Sequence, residues 1–439
     1  MESPPKPSKA AGSYNIGTQG SFSNTGSGVQ NFGDVTNNNG PSSGNRYNST
    51  GQPNISNVVH KSDGNGRGST VKNGAWCSSG WVEIKSIALL ESDSSIMASL
   101  LLLLALFTAN LRITGGQIGV CYGTLGNDLP SAREVVDLYK ANNIKLMRLY
   151  DPNQEALEAL RDSGINLMLG VPNTDLHRLA TNADDAREWV ENSVSKFYPS
   201  VNIKYIAVGN EVNPVDGANR QYAPHVLPAI QNVYQAICAR CLHEKIKVST
   251  SIDMTLIGNS YPPSQGSFRD DVRSYFDPII GYLVSAKAPL FANIYPYFAY
   301  CRSRPGDIPL NYALFTEPSV LVQDGSRGYQ NLFDAMLDSL HAALDGTRIG
   351  PVKVGVSESG WPSVGEEHAT ELNAKTYLQN LIPHVNTVTP MRPEPVETYL
   401  FAVFDENKKV GQETERHFGL LYPNKQNKYP FGFGAQECP

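Results

Sequence analysis

The chain changes character near position 117, after which short apolar runs alternate with segments of helical periodicity. The apolar runs predict strands at 118–122, 145–150, 166–171, 203–212, 246–252, 290–297, 352–359 and 398–404. The segments between them predict helices at 131–141, 154–162, 184–196, 223–240, 272–285, 330–344 and 367–381. Such an alternation is typical of an α/β fold, the parallel (β/α)8 TIM barrel. A doubly wound open sheet is the alternative, but no GxGxxG follows the first strand to favour it.

The first 96 residues differ in composition from the rest of the chain. Between positions 13 and 74 they are mostly Gly, Ser, Asn and Thr, with almost no Leu, Ile or Phe. Such a segment cannot bury enough apolar surface to offset the entropy of ordering. We therefore predict that residues 1–96 are a disordered, low-complexity N-terminal extension, arising either from a gene-model artefact or from an unusual leader.

A sharp rise in hydropathy at Met97 indicates a targeting segment. The apolar run from Met97 to Ala109 is about 12 residues long, below the ~20 that a membrane-spanning helix needs. Its length and its small terminal residues are typical of a signal peptide. We predict a signal peptide at 97–116, no membrane association after its cleavage, and delivery to the extracellular space or cell wall, with the vacuole as the alternative. If Met1 is the true start, the run would instead remain as an uncleaved anchor.

Composition and charge narrow the classes of function. A net charge of −6 disfavours a nucleic-acid partner, because phosphate binding needs a basic surface. Few charged residues and 21 Tyr suit a neutral polar ligand such as a carbohydrate. The lone Cys238-x-x-Cys241 pair is more consistent with a structural or solvent-facing role than with zinc. No HExxH is present, and no GxSxG occurs from Gln117 onward, which disfavours a metalloenzyme and a serine-nucleophile hydrolase.

Two glutamates stand at the ends of apolar strands. Glu211 follows Val208-Gly-Asn at the end of the fourth predicted strand, and Glu358 lies near the end of the seventh. These strands are nearly opposite in an eight-stranded barrel, and chemistry occurs at the carboxyl ends of the strands. Glycosidic bond cleavage needs such a pair of carboxyl groups. One is protonated and donates its proton to the leaving oxygen, and the other is ionised and attacks or stabilises the sugar cation. A single glutamate at a strand end would indicate only an ordinary surface charge, whereas two on opposed strands favour a catalytic pair.

Aromatic and charged residues accompany this pair. The aromatic residues at strand ends are Tyr122, Tyr150, Tyr295, Tyr297, Phe298, Tyr300 and Trp361. Aromatic faces pack on sugar rings, although the same residues would also serve as a hydrophobic rim or core. The charged stretch from Asp405 to Lys409, with Glu413 and Glu415 beyond it, predicts either a solvated loop or an ion-paired network that tunes the acid pair.

Six segments carry a resemblance to a known family. They are Gln117-Ile-Gly-Val-Cys-Tyr-Gly, Met147-Arg-Leu-Tyr-Asp151, Val208-Gly-Asn-Glu-Val212, Asn293-Ile-Tyr-Pro-Tyr-Phe298, Ser357-Glu-Ser-Gly-Trp-Pro-Ser363 and Arg416-His-Phe-Gly-Leu420. Together they closely resemble the plant β-1,3-glucanases of glycoside hydrolase family 17. The resemblance covers essentially all of the chain from Gln117 to about Gln436, and the Ser-Glu-Ser-Gly-Trp-Pro run is its most specific part.

The resemblance implies a (β/α)8 catalytic domain at 117–439 that hydrolyses internal 1,3-β-D-glucosidic bonds, as in callose and fungal wall glucan, with retention of configuration. It implies that Glu211 is the proton donor and Glu358 the nucleophile. Glu406, Lys409 and Glu415 correspond to an auxiliary charged cluster. Tyr122, Asn173, Asn210, Tyr295 and Trp361 correspond to substrate-binding residues in the groove.

The resemblance also implies that the polysaccharide is the partner, that the chain is a monomer, and that no metal or organic cofactor is needed. Two alternatives stay open. The first is a 1,3-1,4-β-glucan endohydrolase, since linkage choice depends on groove shape. The second is a non-catalytic glucan-binding defence protein on the same barrel.

Overall fold

A computed structural model describes residues 118–430 of the 439-residue chain. Eight parallel strands of this part form a closed barrel in the order β1-β8-β7-β6-β5-β4-β3-β2. They are β1 (Ile118–Tyr122), β2 (Leu146–Leu149), β3 (Asn166–Val171), β4 (Asn202–Asn210), β5 (Lys247–Asp253), β6 (Leu290–Asn293), β7 (Val354–Ser359) and β8 (Thr398–Leu400). The prediction of a (β/α)8 barrel is confirmed. The predicted extension at 1–96 and signal peptide at 97–116 lie outside the described residues.

Helices surround the barrel and fill the connections between strands. They are α1 (Ala132–Ala141), α2 (Gln154–Ala159), α3 (Leu176–Thr181), α4 (Ala183–Val190), α5 (Ala223–Ala239), α6 (Arg273–Ala286), α7 (Pro296–Arg302), α8 (Leu310–Ala313), α9 (Leu332–Thr347) and α10 (Glu371–His384). Each of the seven predicted helices has a counterpart. None of the helices within 118–430 is long and apolar enough to cross a membrane.

Local sequence explains where several helices begin. Ser131 accepts a hydrogen bond from the backbone of Glu134, whose side chain bonds back to Ser131, so α1 opens with a capping box. Pro296 is the first residue of α7, a position where its missing N–H costs nothing. The predicted strand at 290–297 was therefore too long, because it ends at Asn293 and the chain turns into α7.

The hydrophobic core has two layers. One lies between the barrel and its helices, where the helix residue Tyr139 and the strand residue Val120 are both fully buried. The other lies inside the barrel, where residues such as Cys121, Met168 and Phe291 pack together. Packed layers inside the barrel make it a solid support rather than a pore. Groups at the carboxyl ends of the strands are thus held on a rigid base.

Several elements were not predicted. Two short antiparallel pairs, Ile257–Asn259 with Ser267–Phe268 and Val322–Asp324 with Arg327–Tyr329, extend from the connections after β5 and β6. The helices α3, α7 and α8 were also missed, since each has only four to seven residues. Helical periodicity is hard to read over so few positions.

Candidate active site

Glu358 lies near the carboxyl end of β7 and is completely buried. Arg148 on β2 donates a hydrogen bond from Nη1 to Glu358 Oε1 at 2.8 Å, and Tyr150 OH donates to the same oxygen at 2.9 Å. Tyr295 OH donates to Oε2 at 2.6 Å. Burial raises the pKa of both tyrosines well above the ordinary value, so they remain donors. The carboxylate is therefore held from several sides in one orientation.

Glu211 directly follows β4 in an unusual backbone conformation. Its φ is 51°, in the left-handed region, and that of Gly209 is 76°. A non-glycine residue in this region costs about 1–2 kcal/mol. Two hydrogen bonds hold it there, from Glu211 N to Ser251 O at 3.0 Å and from Asn219 Nδ2 to Glu211 O at 3.3 Å. Such strain persists where the surrounding structure fixes a side chain for function.

The strand pairing is irregular at both glutamates. The register between β7 and β6 shifts between Val356 and Glu358. The register between β4 and β5 shifts between Ala207 and Asn210, directly before Glu211. Irregular pairing of this kind re-aims side chains and is frequent next to active sites. The barrel is thus locally distorted at the two positions that the chemistry needs.

Asn293, the last residue of β6, connects the two glutamates. Its Nδ2 donates to Glu211 Oε1 at 2.8 Å, and its Oδ1 accepts from Arg148 Nη1 at 3.2 Å. Because the same Arg148 nitrogen binds Glu358, one amide and one guanidinium link both carboxyl groups. Ser357 Oγ donates to Asn293 Oδ1 at 2.7 Å and fixes the orientation of the amide. The structure therefore brings both predicted glutamates into one network.

The two glutamates occupy different electrostatic environments. Loss of hydration raises the pKa of Glu211 well above its ordinary value, and the negative charges of Glu358 and Asp253 raise it further. The hydrogen bond from Asn293 opposes this shift. Glu358 instead receives its hydrogen bonds from a guanidinium and two phenols. The two carboxyl groups therefore have different surroundings, which is how enzymes assign different roles to two neighbouring carboxyl groups.

Asn210 and Asn173 are part of the same network. Asn173 forms two hydrogen bonds with the backbone of Asn210, both at 2.9 Å. Arg148 Nη2 donates to Asn210 Oδ1 at 2.8 Å. The Nδ2 of Asn210 is buried and has no partner among the described residues. This amide group is an exception to the rule that buried polar groups have hydrogen-bond partners.

The predicted auxiliary residues come together beside this network. Lys409 Nζ lies 3.4 Å from Glu415 Oε2 and 4.1 Å from the centroid of the Phe401 ring. Glu406 Oε1 accepts a hydrogen bond from Leu125 N at 2.8 Å. Burial raises the pKa of Glu406, and the charge of Lys409 opposes the shift. The ion-paired network is therefore present, rather than a fully solvated loop.

Two cavities are each lined by a tyrosine that binds Glu358. The cavity we call the Glu406 cavity has a volume of about 20 Å³ and is lined by Tyr122, Tyr150, Glu406 and Lys409, among others. The Glu211 cavity has a volume of about 70 Å³ and is lined by Glu211, Asp253, Asn293, Tyr295 and Arg302, among others. Tyr150 lines one cavity and Tyr295 the other, and both bind Glu358. Each cavity thus includes one tyrosine that donates a hydrogen bond to Glu358.

Trp361 lies apart from these cavities. Its side chain is fully buried, its Nε1 donates to His368 O at 2.8 Å, and its ring packs against Tyr297 at 5.1 Å. Its ring faces are therefore covered by protein in this structure. The predicted aromatic Tyr122 does line the Glu406 cavity, and Tyr295 acts through its hydroxyl on Glu358.

Two residues of the network were not singled out in the sequence. Arg148 and Asn293 both lie in segments that carry the family resemblance, but they were not assigned roles. A signal for Arg148 was available, because an arginine within the apolar strand Leu-Met-Arg-Leu must be paired if that strand is buried. No comparable signal marks Asn293.

Within residues 118–430, no group of three or more His, Cys, Asp or Glu side chains is arranged to hold a metal ion. The thiols of Cys238 and Cys241 are free and no disulfide joins them. Cys238 is partly buried and Cys241 is exposed.

Comparison with known proteins identifies relatives of the whole barrel. A glucan endo-1,3-β-glucosidase of Pisum sativum is 66% identical over 337 residues, covering 76% of this chain and 90% of the relative. A basic isoform of glucan endo-1,3-β-glucosidase from Phaseolus vulgaris is 67% identical over 321 residues, covering 73% of this chain and 91% of the relative.

Solved structures show the same similarity. A β-1,3-glucanase and allergen of Cryptomeria japonica pollen is 46% identical with a TM-score of 0.70, covering 73% of this chain and 100% of the other. One of two plant β-glucan endohydrolases with distinct substrate specificities is 43% identical with a TM-score of 0.68. The match covers 72% of this chain and 100% of the other. Residues 118–433 match the family described as glycosyl hydrolases family 17. The chain belongs to glycoside hydrolase family 17.

Proposed function

We propose that this chain is a glucan endo-1,3-β-glucosidase that acts with retention of configuration. The observation that carries the proposal is the single network joining Glu211, with its raised pKa, to Glu358 through Asn293 and Arg148. Retaining glycosidases need one carboxylic acid and one carboxylate beside the same glycosidic bond. The relatives named above are glucan endo-1,3-β-glucosidases, which supports the choice of linkage.

Glu358 acts as the nucleophile in this proposal. Its carboxylate receives hydrogen bonds from Arg148, Tyr150 and Tyr295, and these two tyrosines line the Glu406 and Glu211 cavities respectively. These donors fix the direction of attack on the anomeric carbon. A covalent glucosyl-enzyme forms as the glycosidic bond breaks, and water then displaces Glu358.

Glu211 acts as acid and then as base. Its raised pKa keeps the proton available for the leaving glycosidic oxygen. Once that proton is transferred, the Glu211 carboxylate accepts a proton from the incoming water. When Glu358 is esterified, its negative charge is removed, which lowers the pKa of Glu211 and favours this second role.

The positions of the two cavities predict on which side of the scissile bond each sugar binds. The sugar that becomes attached to Glu358 lies toward the Glu406 cavity, and the leaving sugar lies toward the Glu211 cavity, where the acid is. The unpartnered Nδ2 of Asn210 donates to a hydroxyl of the reacting sugar. Hydrogen bonds to such hydroxyls strengthen in the transition state.

Assays of reducing-end release test the activity and its linkage preference. We expect the wild type to release reducing ends from laminarin faster than from barley mixed-linkage glucan. Glu211→Gln and Glu358→Gln should each lower kcat by about 10³-fold or more. Glu397→Gln is the matched control, because Glu397 lies directly before β8 at the opposite end of the barrel and pairs with Lys204. Full activity in both active-site variants would contradict the proposal.

The same assays separate the remaining alternatives. Faster release from barley glucan than from laminarin would assign the chain to 1,3-1,4-β-glucan hydrolysis. Binding of both glucans without any release of reducing ends would identify a non-catalytic binding protein.

We also propose that the chain is delivered outside the cell as a monomer after cleavage near Gln117. The support is the apolar run at 97–109 with small residues after it. N-terminal sequencing of the exported protein should give a start at or near Gln117. A start upstream of Met97 would favour the alternative in which the apolar run remains as an uncleaved membrane anchor. Light scattering at micromolar protein concentration measures the molar mass and should give that of a single chain.

A further inference from the structure

Asp253 is a half-buried acidic residue in the Glu211 cavity to which the mechanism above gives no role. It is the last residue of β5, and it lines this cavity together with Glu211, Asn293 and Arg302. A carboxyl group beside a proton donor changes how tightly the donor holds its proton. The position of Asp253 therefore bears on the acid step.

A chain of hydrogen bonds connects Asp253 to the turn that follows Glu211. Asp253 Oδ1 accepts from Thr255 N at 3.0 Å and from Thr255 Oγ1 at 2.5 Å. Thr255 Oγ1 in turn accepts from Asn213 Nδ2 at 2.9 Å. Asn213 Oδ1 accepts from Val215 N at 2.9 Å and caps the turn. Asp253 thus stabilises the loop two residues beyond the strained backbone of Glu211.

The hydrogen bonds also bear on the charge of Asp253. Both bonds from Thr255 point at one oxygen, and two donors on one carboxylate oxygen favour its ionised form. Burial raises the pKa of Asp253, while the Thr255 bonds and the Arg302 guanidinium oppose the shift. Glu211 receives one side-chain hydrogen bond, from Asn293, whereas Asp253 receives two from Thr255, so the hydrogen bonds favour the charge on Asp253 and the proton on Glu211.

We propose that Asp253 is a positioning residue for Glu211: it braces the turn that carries Glu211, and its negative charge keeps the Glu211 carboxyl protonated. This inference rests on the proposed function, because it assigns a partner to the proton donor. Asp253 contacts neither the nucleophile nor the bond that breaks; it acts through Glu211.

Other charged groups also face Glu211 and affect its pKa. Glu358 on β7 and Glu415 in the loop after β8 add negative charge, and Arg302 at the end of α7 adds positive charge. Asn293 on β6 donates a hydrogen bond that favours the ionised form of Glu211. Asp253 and Arg302 line the same cavity as Glu211, so their substitutions should shift the titration of Glu211 in opposite directions.

The test is the pH dependence of kcat/KM on laminari-oligosaccharides for the full chain at low ionic strength. Its alkaline limb reports the loss of the proton from Glu211 in the free enzyme. We expect Asp253→Asn to move this limb to lower pH by about one unit. Asp253→Glu, which keeps the charge, should restore the limb. Thr255→Val removes the hydroxyl bond that braces the turn and favours the charged form of Asp253, so it should lower kcat and move the limb to lower pH by less than Asp253→Asn does.

Arg302→Gln shows independently whether the limb responds to charge in the Glu211 cavity. Removing this positive charge should move the alkaline limb to higher pH. An unmoved limb in folded Asp253→Asn, or in folded Thr255→Val where Asp253→Asn is lost, would overturn the inference and leave Asp253 a purely structural residue. Failure of the proposed function would look different, because Glu211→Gln would then hydrolyse laminarin as fast as the wild type.

Discussion

Arg148 and Glu358 form an ion pair at 2.8 Å, with side chains that are only 2% and 0% exposed. Arg148 Nη2 also binds Asn210, so this guanidinium orders the nucleophile candidate and the residue beside the acid. Each charge would be costly to bury alone, and each compensates the other. The pair is therefore structural and functional at once.

Arg148→Met should lower the free energy of unfolding by about 3–5 kcal/mol, because it leaves Glu358 buried without its cation. Adding Glu358→Gln should recover part of this loss, since the uncompensated charge is then removed. The matched control is Arg178→Met, whose pair with Asp175 is exposed and 3.7 Å apart, and it should cost less than about 0.5 kcal/mol. Urea unfolding measures all four proteins. Equal losses in Arg148→Met and Arg178→Met would contradict this description of the ion pair.

Tyr295→Phe removes one donor from Glu358 and leaves the ring in place. We expect kcat to fall by about 10- to 100-fold, because the nucleophile loses orientation and a fixed hydrogen bond. Tyr139→Phe is the control: it also removes a buried hydroxyl, which donates to Val120 O at 3.1 Å away from the site. Both should cost about 1 kcal/mol of stability. Steady-state kinetics with thermal unfolding separates the two effects, and similar kcat values in both variants would contradict the role of Tyr295.

Gly123 allows close approach of the Glu406 carboxylate. An added Cβ would lie within 2.5 Å of it, too close for any side chain at this position. We expect Gly123→Ala to displace Glu406, lowering stability by about 1–3 kcal/mol and reducing activity.

Gly346 provides the control for this substitution. It lies within α9 and an added Cβ there would meet no atom within 4 Å. Gly346→Ala should raise stability by about 0.5–1 kcal/mol without changing kcat. Unchanged activity and stability in Gly123→Ala would show that Glu406 has room to move.

Asp338 should give the fold a pH dependence of its own. Burial raises the pKa of Asp338 to about 6, from an ordinary value of 3.8, although Thr389 Oγ1 and Met391 N donate to it. The folded chain therefore holds this proton more tightly than the unfolded chain. The associated stability is present below pH ~4 and is lost as the pH rises through ~6, by about 3 kcal/mol.

Comparison with Asp338→Asn isolates this contribution, because the variant lacks the titration and its lost hydrogen bond adds only a constant offset. Wild type minus variant stability, from urea unfolding between pH 4 and pH 7, should fall as the pH rises. Asp345→Asn, at an exposed position on the same helix, is the control. A difference that stays constant with pH would show that Asp338 does not titrate in this range.

The sequence predicted the barrel because strands buried on both faces are apolar throughout, and all eight such runs became barrel strands. Their ends were less predictable. The run at 290–297 stays apolar past the point where Pro296 starts a helix, and the run at 398–404 continues past Leu400, where β8 ends. Hydrophobic periodicity does not record where hydrogen-bonded pairing stops.

The active site was predicted in part for a similar reason. Glu211 and Glu358 were found because polar residues at the ends of apolar strands are unusual. The direction of a side chain after a strand is not encoded in the pattern, so Trp361 was placed in the groove although it is buried against Tyr297. Asn293 was missed because its role depends on a contact between β6 and the irregular end of β4, which sequence spacing does not show.

Rescue by azide tests the central claim, that Glu358 is the nucleophile and Glu211 the acid/base on one retaining site. The variants Glu358→Ala and Glu211→Ala are incubated with an activated aryl laminaribioside and azide, and the anomeric configuration of the glycosyl azide is read by NMR. We predict an α-azide from Glu358→Ala, by a single displacement, and a β-azide from Glu211→Ala, by displacement of the glycosyl-enzyme. The reverse assignment, or the same anomer from both variants, would contradict the account.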